Sequence, residues 1–253
     1  MGFISLKRDN IDFFGLKLYL FEDNNSFIEK ILSFSPNKTN YVYYLNADTF
    51  NKAVKNKIFA KILKKGNLIY PDGMSIVLTL KLMGYKTKRI TAADFIGDFL
   101  QKCQIQRLKV AFVGGNPGFI KKLKEKIEKN YPDLNIKLFD GYFHKNKEKE
   151  KSLLKKLQDF SPQIILLGMG SPLQELWSYK NLGNYKSTIW HIGAAMEFFA
   201  GEKRRAPLWM QKCGLEWLHR LVSEPKRLAK RYIIGNPFYI YNIVKFILLK
   251  KSL

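Results

Sequence analysis

Cysteine is scarce in this sequence. Cys103 and Cys213 are the only two among 253 residues, and no C-x-x-C pair occurs. A disulfide framework and a cysteine-based zinc site are therefore excluded, and two free thiols fit a reducing compartment. No apolar run reaches about 18 uninterrupted residues, and residues 1–10 lack the apolar core of a signal peptide. We therefore expect a cytoplasmic protein without a conventional transmembrane helix.

Common catalytic signatures are also absent. The sequence has no G-x-S-x-G elbow, no H-E-x-x-H motif and no D-x-D pair, and His144, His191 and His219 are far apart. A histidine-based triad or a metal cluster is therefore weakly supported. We predict that the protein needs no metal and no cofactor, and that arginines and backbone dipoles neutralise any developing negative charge.

Acidic residues are heavily outnumbered. Lys and Arg total 44 against 21 Asp and Glu, which gives a net charge of +23. Such a charge attracts nucleic acid, anionic lipid and phosphorylated substrates alike, and an AT-rich genome would also enrich lysine and asparagine. A basic nucleic-acid-binding protein is therefore one hypothesis, with strongly salt-dependent binding as its signature. Against it, no nucleic-acid-binding module is legible in the sequence.

Short apolar runs alternate with segments of helical spacing. Strands are predicted at 41–45, 68–70, 109–113, 134–139, 163–167 and 187–191. Helices are predicted at 49–64, 73–83, 92–102, 119–130 and 147–160. This alternation, with short connections, predicts an α/β fold over residues 1–200: a Rossmann-like, mostly parallel sheet with helices on both faces.

The composition changes near Gly201. Residues 201–253, which we call the appendage, hold 12 Lys and Arg against three Glu, interleaved with aromatic residues. We predict a basic, helical appendage. Its end, residues 237–253, is apolar with scattered lysines, which predicts a helix lying on an anionic membrane surface. The alternative is a C-terminal helix docked on the core or on a second copy of the chain, in a homo-oligomer.

Asp72 is the candidate catalytic residue. It follows the apolar run 67–70, and Pro71 and Gly73 restrict its backbone. Ligands bind at the carboxyl ends of strands in open α/β sheets, and a carboxylate there can accept a proton from a substrate hydroxyl. The simpler interpretation is a turn whose Asp caps the next helix. Asn46 occupies the equivalent place after the strand at 41–45.

Two glycine-rich loops, 114–118 and 168–172, lie between a strand and a helix. Glycines let backbone N–H groups approach a phosphate at a helix N-terminus, although neither loop has the dinucleotide or P-loop pattern. Plain strand-to-helix turns are equally compatible. Together the loops favour binding of a nucleotide diphosphate. The helix after the second loop begins with Gln174 and Glu175, which can face a ligand, while Glu175 can instead complement the helix dipole. The predicted binding residues here are Gly114, Gly115, Gly168, Gly170, Gln174 and Glu175.

Arginines supply the predicted phosphate contacts. Arg89, followed by Thr91 and Asp94, precedes a helix and can clamp a pyrophosphate, or it is a surface arginine paired with an acidic neighbour. A further set in the appendage can bind a lipid pyrophosphate or headgroups, or form a solvated face. The residues predicted to bind substrate in these two regions are Arg89, Thr91, Asp94, Arg205, Arg220, Arg227 and Arg231.

Together these motifs resemble one family, the WecG/TagA/CpsF glycosyltransferases of bacteria. The resemblance covers about residues 41–232 and lies in the order of motifs that are individually weak. They are LNAD at 45–48, PDG at 71–73, RITAAD at 89–94, FVGG at 112–115, GMGSPLQE at 168–175 and GAA at 193–195. The most specific are RAPLWM at 205–210, GLEWLHR at 214–220, EPKRL at 224–228 and RY at 231–232.

The resemblance implies a reaction. A sugar, often N-acetylmannosamine or its uronate, would pass from a UDP-sugar to a sugar on an undecaprenyl-diphosphate carrier, by direct displacement that inverts the anomeric centre. Asp72 is expected to be the general base. Asn46 and Gln174 are expected to contact the sugar or the acceptor, and Arg89 to line the pocket. The appendage arginines are expected to close over the site and to meet the lipid diphosphate.

The resemblance also implies metal independence, a peripheral position on the cytoplasmic face of the membrane, and a change from oligomer to active monomer. One departure is Tyr44, where we expect a small hydroxyl residue, so the donor sugar can differ. The tail beyond Tyr232 is also more apolar than expected, which would strengthen membrane attachment. A third hypothesis, a nucleotide-dependent oxidoreductase, lacks the G-x-G-x-x-G fingerprint and a suitable ribose-binding acid.

Overall fold

The computed structural model describes residues 9–143, 146–249 and 253, so most of the N-terminal segment considered above, and His144, lie outside the described residues. The strands are β1 (Asn10–Phe13), β2 (Leu16–Tyr19), β3 (Asn40–Leu45), β4 (Leu68–Pro71), β5 (Val110–Gly114), β6 (Ile136–Phe139), β7 (Ile164–Gly168) and β8 (Thr188–His191). They form one sheet in the order β1-β2-β4-β3-β8-β7-β5-β6. Only β1 and β2 pair antiparallel, which confirms the mostly parallel α/β class.

Helices cover both faces of the sheet. Those up to residue 200 are α1 (Asn24–Leu32), α2 (Ala47–Lys55), α3 (Lys57–Lys64), α4 (Met74–Leu82), α5 (Ala92–Ile105), α6 (Pro117–Asn130), α7 (Lys147–Phe160), α8 (Leu173–Asn181) and α9 (Ala195–Phe199). The appendage contains α10 (Leu208–Lys212), α11 (Glu216–Ser223), α12 (Pro225–Ala229), a π-helical turn (Lys230–Ile234) and α13 (Gly235–Leu249).

The sheet separates two apolar cores. Central strands such as β3 and β7 are buried on both faces, which explains their nearly continuous apolar sequences. One core contains Phe50 and Tyr43, and the other contains Trp190 and Phe95, whose rings stack with centroids 5.9 Å apart. The strands are thereby fixed rigidly, and the loops at their carboxyl ends are held in place.

The helix predicted at 49–64 is two helices. The chain leaves helical geometry at Asn56, whose side-chain oxygen accepts hydrogen bonds from the backbone N–H groups of Ile58 and Phe59. The single-helix prediction was therefore wrong at this position, because apolar spacing continues across the break while the cap restarts the helix. Short strands and one helix, the prediction for residues 1–40, are present there as β1, β2 and α1.

The C-terminal helix α13 has two different faces. Its inner face packs on α2 through Tyr239, Ile243 and Phe246, with the Phe246 ring centroid 5.8 Å from that of Phe50. The Tyr239 hydroxyl lies 2.8 Å from Thr79 Oγ1. Its outer face is exposed. Docking on the core, the alternative considered above, therefore describes one face of α13.

One segment of the appendage bears on the expectation that no conventional transmembrane helix is present. The continuous helical run Pro225–Leu249, with 25 residues, is long and apolar enough to cross a membrane by length and composition. The sequence criterion missed it because it required an uninterrupted apolar run, which the basic residues in this segment break. The run includes the inner face of α13, which packs on the core, so only part of its apolar surface is exposed.

Candidate functional site

A cavity of about 780 Å³ opens at the carboxyl ends of the parallel strands and is roofed by the appendage. Segments that follow β3, β4, β5, β7 and β8 all contribute to its wall. Ten of the predicted site residues line it. They are Asn46, Asp72, Arg89, Thr91, Gly115, Gly168, Gly170, Arg220, Arg227 and Arg231.

Asp72 lies on the cavity wall directly after β4. Its backbone N–H donates to the Leu45 carbonyl at 2.8 Å, and Gly73 follows with φ +98°, a conformation that favours glycine. The Thr91 hydroxyl donates to Oδ1 at 2.8 Å. The strand end, the glycine and the hydroxyl together fix the direction of this carboxylate.

The environment of Asp72 raises its pKa above the usual aspartate value. Burial makes the largest contribution, and it outweighs the opposing effects of the Thr91 hydrogen bond and of the positive charges of Arg89 and Arg220. The competition between desolvation and arginine charge that the sequence left open is therefore decided in favour of desolvation. A carboxylate with a raised pKa binds a proton more readily, which suits a general base.

Asn46 links the same site to helix α2. Its Oδ1 accepts from the Thr49 N–H at 3.0 Å, while the Thr49 hydroxyl accepts from the Asn46 N–H at 2.7 Å, so the two residues form a capping box. The cap orients the amide so that Nδ2 points to Asp72 Oδ2, 3.5 Å away. Asn46 therefore presents an oriented amide beside the candidate base.

Arg89 and Arg205 are already paired. Arg89 Nη1 donates to Glu216 Oε2 at 2.7 Å, and Arg205 Nη2 donates to Asp94 Oδ1 at 2.5 Å. Two further contacts, Arg89 Nη2 to Asp94 Oδ2 at 3.3 Å and Arg205 Nε to Glu216 Oε1 at 3.2 Å, complete a four-residue ionic cluster. The paired-arginine alternative therefore describes the geometry of Arg89, although Arg89 also lines the cavity. Asp94 and Arg205 are not among the residues that line the cavity.

Arg220 differs from these arginines. Among the described residues, no carboxylate lies within ion-pair distance of it, and its guanidinium stands over the Phe198 ring, 4.9 Å from the centroid. Arg227 and Arg231 also line the cavity; Arg231 Nε is 3.8 Å from Asp48 Oδ2, and Arg227 pairs with Glu224. The cavity roof is therefore cationic, with Arg220 as its unpaired charge.

The predicted glycines divide into two groups. Gly115 and Gly170 line the cavity and have positive φ angles. Gly168, the last residue of β7, also lines the cavity. Gly114 is buried instead, because β5 and β7 approach so closely that a Cβ there would lie 2.7 Å from the Gly168 carbonyl oxygen. Gly114 therefore has a packing role in this structure.

Gln174 and Glu175 are in the first turn of α8, as predicted, but both are buried behind the wall. Gln174 Oε1 accepts from the Gly170 N–H at 3.2 Å, and its Nε2 donates to Glu175 Oε1 at 2.9 Å. Burial raises the pKa of Glu175. The pair holds the 168–172 loop from behind and does not reach the cavity in this structure.

His191 also belongs to this buried layer. Its Nδ1 lies 3.0 Å from the Val42 carbonyl oxygen and its Nε2 lies 2.8 Å from Ser178 Oγ. Burial lowers its pKa to about 4, so it is neutral at pH 7 and donates from Nδ1. Both ring nitrogens have partners, and His191 does not line the cavity. Its role in this structure is to link β3 and β8 to α8.

Several cavity residues were not predicted as site residues. Lys52 donates to Asp48 Oδ2 at 2.6 Å and to the Ser171 carbonyl at 2.8 Å, which joins α2 to the 168–172 loop. The four-residue spacing of Asp48 and Lys52 was a usable helical signal. Phe198, Lys203, Glu216 and Trp217 also line the cavity, and the GLEWLHR motif at 214–220 was the available signal for the last two.

Within the described residues, no group of three or more His, Cys, Asp or Glu side chains could hold a metal ion. The carboxylates on the cavity wall face lysines, arginines or hydroxyls. Asp48 contacts Lys52, and Glu197 contacts Lys203, each at 2.6 Å. What the site offers to an anionic ligand is therefore arginine, lysine and backbone N–H groups.

The structure thus has a basic cavity at the carboxyl edge of a parallel sheet, with the buried carboxylate of Asp72 on its wall. The model of the Glycosyl transferase WecG/TagA/CpsF family matches residues 11–252, and the chain belongs to this family. It is therefore a glycosyltransferase, as the sequence motifs predicted.

Similar proteins with assigned names give the comparison more detail. The chain is 25% identical over 223 residues, 86% of each chain, to the N-acetylglucosaminyldiphosphoundecaprenol N-acetyl-beta-D-mannosaminyltransferase of Staphylococcus aureus strain MW2. Proteins of the same description from strains NCTC 8325 and COL match with the same identity and coverage.

Proposed function

We propose that this protein transfers an N-acetylmannosamine-type sugar, or a related hexose, from a UDP-sugar to a sugar on an undecaprenyl-diphosphate carrier. The observation that carries the proposal is Asp72, a desolvated carboxylate on the wall of a cationic cavity, hydrogen-bonded by Thr91. The names of the relatives support the acceptor, because they describe transfer to an N-acetylglucosaminyl diphosphoundecaprenol.

The proposed reaction is a single displacement at the anomeric carbon. An acceptor hydroxyl oxygen forms the new bond to that carbon while the bond to the UDP oxygen breaks, so the configuration inverts. The hydroxyl proton passes to Asp72, and UDP leaves with the bonding electrons. The raised pKa of Asp72 favours this proton transfer, and Asn46 Nδ2, 3.5 Å from its other oxygen, helps to hold the carboxylate.

Stabilisation of the departing diphosphate is assigned to the roof and to backbone dipoles. Arg220 has no carboxylate partner among the described residues, so a phosphate would not have to displace one. Arg231 and Gly115, which also line the cavity, add a second cation and a backbone N–H before α6. Such pre-placed charge in a partly desolvated site is a major source of rate enhancement in transfer reactions.

A lipid-linked acceptor fits the apolar side of the cavity. Leu78 of α4 is 52% exposed and lines the cavity together with Met74, Trp217 and Tyr232. The Trp217 and Tyr232 rings are in contact, with centroids 5.6 Å apart. A diphosphate bound by the arginines would thus lie beside an apolar rim, as a polyprenyl diphosphate requires.

Membrane attachment is proposed through the outer face of α13. Ile240, Val244 and Ile247 are exposed on this face, and Lys245 is close by in the sequence. An amphipathic surface of this kind binds at the headgroup boundary of an anionic bilayer. The proposed location is therefore the cytoplasmic face of the cell membrane, where nucleotide sugars and the lipid carrier meet. Whether copies of the chain associate is a separate proposal, tested by mass measurement with and without lipid.

The test is UDP release from a panel of UDP-sugars, with and without an undecaprenyl-diphosphate-linked N-acetylglucosamine acceptor in anionic vesicles. We expect acceptor-dependent release from one donor, UDP-N-acetylmannosamine or a close analogue. The same panel with Tyr44→Thr tests whether the Tyr44 side chain, which lines the cavity, selects the donor. Release without acceptor would indicate hydrolysis and would contradict a transferase.

The nucleic-acid hypothesis is separated by a titration with DNA and RNA at two salt concentrations. A protein whose basic surface serves lipid and UDP-sugar should bind both polymers weakly at physiological salt and without selectivity. Tight, selective binding together with silence across the donor panel would favour the nucleic-acid-binding alternative. Retention of NADH would instead favour the oxidoreductase.

A further inference from the structure

One buried carboxylate of the appendage lies where the appendage meets the core beside the cavity. Glu216 begins α11, and its side chain is 12% exposed. Burial opposes its ionisation, but the positive charges of Arg205 and Arg89 outweigh burial, and the pKa of Glu216 is lowered. Its position at a helix N-terminus further favours the anion. Glu216 is therefore a fixed negative charge between two arginines.

The first of these arginines leads directly to Asp72. Arg89 lies two residues before Thr91, whose hydroxyl holds Asp72 Oδ1 at 2.8 Å. Between them, the Ile90 N–H donates to the Pro71 carbonyl at 3.0 Å, on the residue before Asp72. A displacement of the Arg89 side chain would therefore affect the candidate base, because a short, hydrogen-bonded segment connects the two residues.

The second arginine leads to the roof of the cavity. Arg205 and Arg220 both lie against the Phe198 ring, with guanidinium carbons 5.4 and 4.9 Å from its centroid. Glu216 holds Arg205 in this arrangement, and Arg220 follows on the same helix, α11. Glu216 therefore contacts two arginines. Arg89 leads to the segment that holds Asp72, and Arg205 lies beside Arg220.

Removing this charge would leave a clear imbalance. Arg89 and Arg205 would then share only Asp94, whose side chain is 29% exposed. Two partly buried guanidiniums with one carboxylate repel each other, and the appendage half of the cluster can move away. The floor of the cavity would persist, because β3, β4 and β7 are held by the two apolar cores.

We propose that Glu216 is a positioning residue that keeps the appendage closed over Asp72, by fixing Arg89 on the core and Arg205 beside Arg220. The inference rests on the proposed function, since closure matters for the proposed transfer. It assigns no contact with substrate to Glu216 itself. Its role is exerted through Arg89, which precedes the segment that carries Thr91, and through Arg205.

The experiment compares Glu216→Gln with Glu202→Gln in the full-length chain. Glu202 also joins the appendage to the core, through Lys122 at 2.6 Å, but it lies outside the cavity wall. For Glu216→Gln we expect kcat of acceptor-dependent UDP release to fall about tenfold or more, with the donor KM changed less than about threefold, because misplacement affects the transition state more than ground-state binding. Glu202→Gln should match the unmodified protein in both constants.

A double-mutant cycle shows whether Glu216 acts through Arg89. The variant carrying both Arg89→Gln and Glu216→Gln should be no slower than the slower single variant, because the two residues form one unit. Additive losses, or an unchanged kcat in Glu216→Gln, would overturn the inference.

A substrate-free readout separates this inference from the proposed function. Amide hydrogen exchange over residues 208–223 should be faster in Glu216→Gln than in Glu202→Gln, while β3 and β4 stay protected. If the unmodified protein releases no UDP with any donor, the proposed function fails and the exchange comparison still tests closure. Equal exchange in the two variants would contradict closure by Glu216 even in an active enzyme.

Discussion

The core and the appendage of this protein place the same kinds of side chain in opposite environments, buried in the core and largely exposed in the appendage. In the core, aromatic and aliphatic residues are buried on both faces of the sheet, and the polar groups at strand ends are held rigidly. In the appendage, large apolar residues such as Trp209 and Leu248 are exposed, and ionic contacts to the core accompany the apolar packing of α13. On the proposed function, the core holds the candidate base, whereas the appendage supplies positive charge and an exposed apolar surface.

The largest expected effect comes from the core side of this comparison. Asp72→Asn should lower kcat by about 10²- to 10⁴-fold, because the amide cannot accept the acceptor proton. Donor affinity should stay close to normal, since the roof arginines are untouched. Single-turnover kinetics and equilibrium binding of the UDP-sugar measure the two separately.

Asp98→Asn is the matched control for this variant. Asp98 lies on α5, is exposed and does not line the cavity. It should leave turnover unchanged. If Asp72→Asn also retained near-normal turnover, Asp72 would be removed as the base, and the fixed floor would have a binding role only.

The second prediction contrasts the two faces of α13. Phe246→Ala on the inner face should lower the free energy of unfolding by about 3 kcal/mol, because a cavity opens against Phe14 and Phe50. Ile247→Ser on the outer face should change stability by less than about 0.5 kcal/mol. Its binding to anionic vesicles should weaken about tenfold, which corresponds to about 1.4 kcal/mol of lost apolar burial.

Denaturant unfolding and vesicle sedimentation measure the two effects independently. Substitutions on single faces are preferable to deleting residues after Tyr232, since deletion would also uncover the aromatic side chains under α13. Unchanged sedimentation of Ile247→Ser, together with that of Ile240→Ser, would contradict a lipid-facing outer face. It would favour a second copy of the chain as the covering partner.

How far the sequence predicted this division depends on distance along the chain. Asn46, Asp72 and Thr91 were placed at one site because each follows a strand or precedes a helix, and parallel strands bring such positions together. Arg89 was identified as a pocket residue, but its partner Glu216 lies 127 residues away, and no local pattern pairs them. Ionic contacts between distant segments are set by tertiary packing, which periodicity does not encode.

Burial was the other quantity that sequence patterns could not provide. Gln174 and Glu175 were correctly placed in the first turn of α8, yet that turn faces the interior and not the cavity. The same limit applies to α13, whose apolar residues divide between the core and the exposed face. Composition measures how apolar a helix is, whereas the neighbouring elements decide which face is covered.

The third prediction concerns pH and the influence of the roof on the floor. Burial holds the pKa of Asp72 above the usual aspartate range, so the acidic limb of the kcat/KM profile should lie above that range, with activity rising as Asp72 loses its proton. Arg220 opposes this shift. Arg220→Gln removes a nearby positive charge, raises the pKa of Asp72 further and should move the acidic limb to higher pH.

The pH shift of the acidic limb is separate from any fall in the maximum kcat/KM that weaker diphosphate binding causes. The groups that act on the Asp72 carboxyl are Tyr44, Asn46, Tyr70, Arg89, Thr91 and Arg220. Burial raises the pKa of both tyrosines well above their usual value, so they stay neutral across the profile. A limb that moves to lower pH in Arg220→Gln would mean that a different group titrates.

The smallest expected effect is that of a chelator. Each carboxylate on the described cavity wall already has a lysine, arginine or hydroxyl partner: Asp48 with Lys52, Asp72 with Thr91, Glu197 with Lys203, and Glu216 with Arg89. A divalent cation would have to displace these partners, whereas the diphosphate can bind the roof arginines directly. Acceptor-dependent UDP release should therefore be unchanged by EDTA and not stimulated by added Mg²⁺. Loss of activity that Mg²⁺ restores would show that the metal arrives with the substrate, and the arginines of the appendage would then share the neutralising role with a cation.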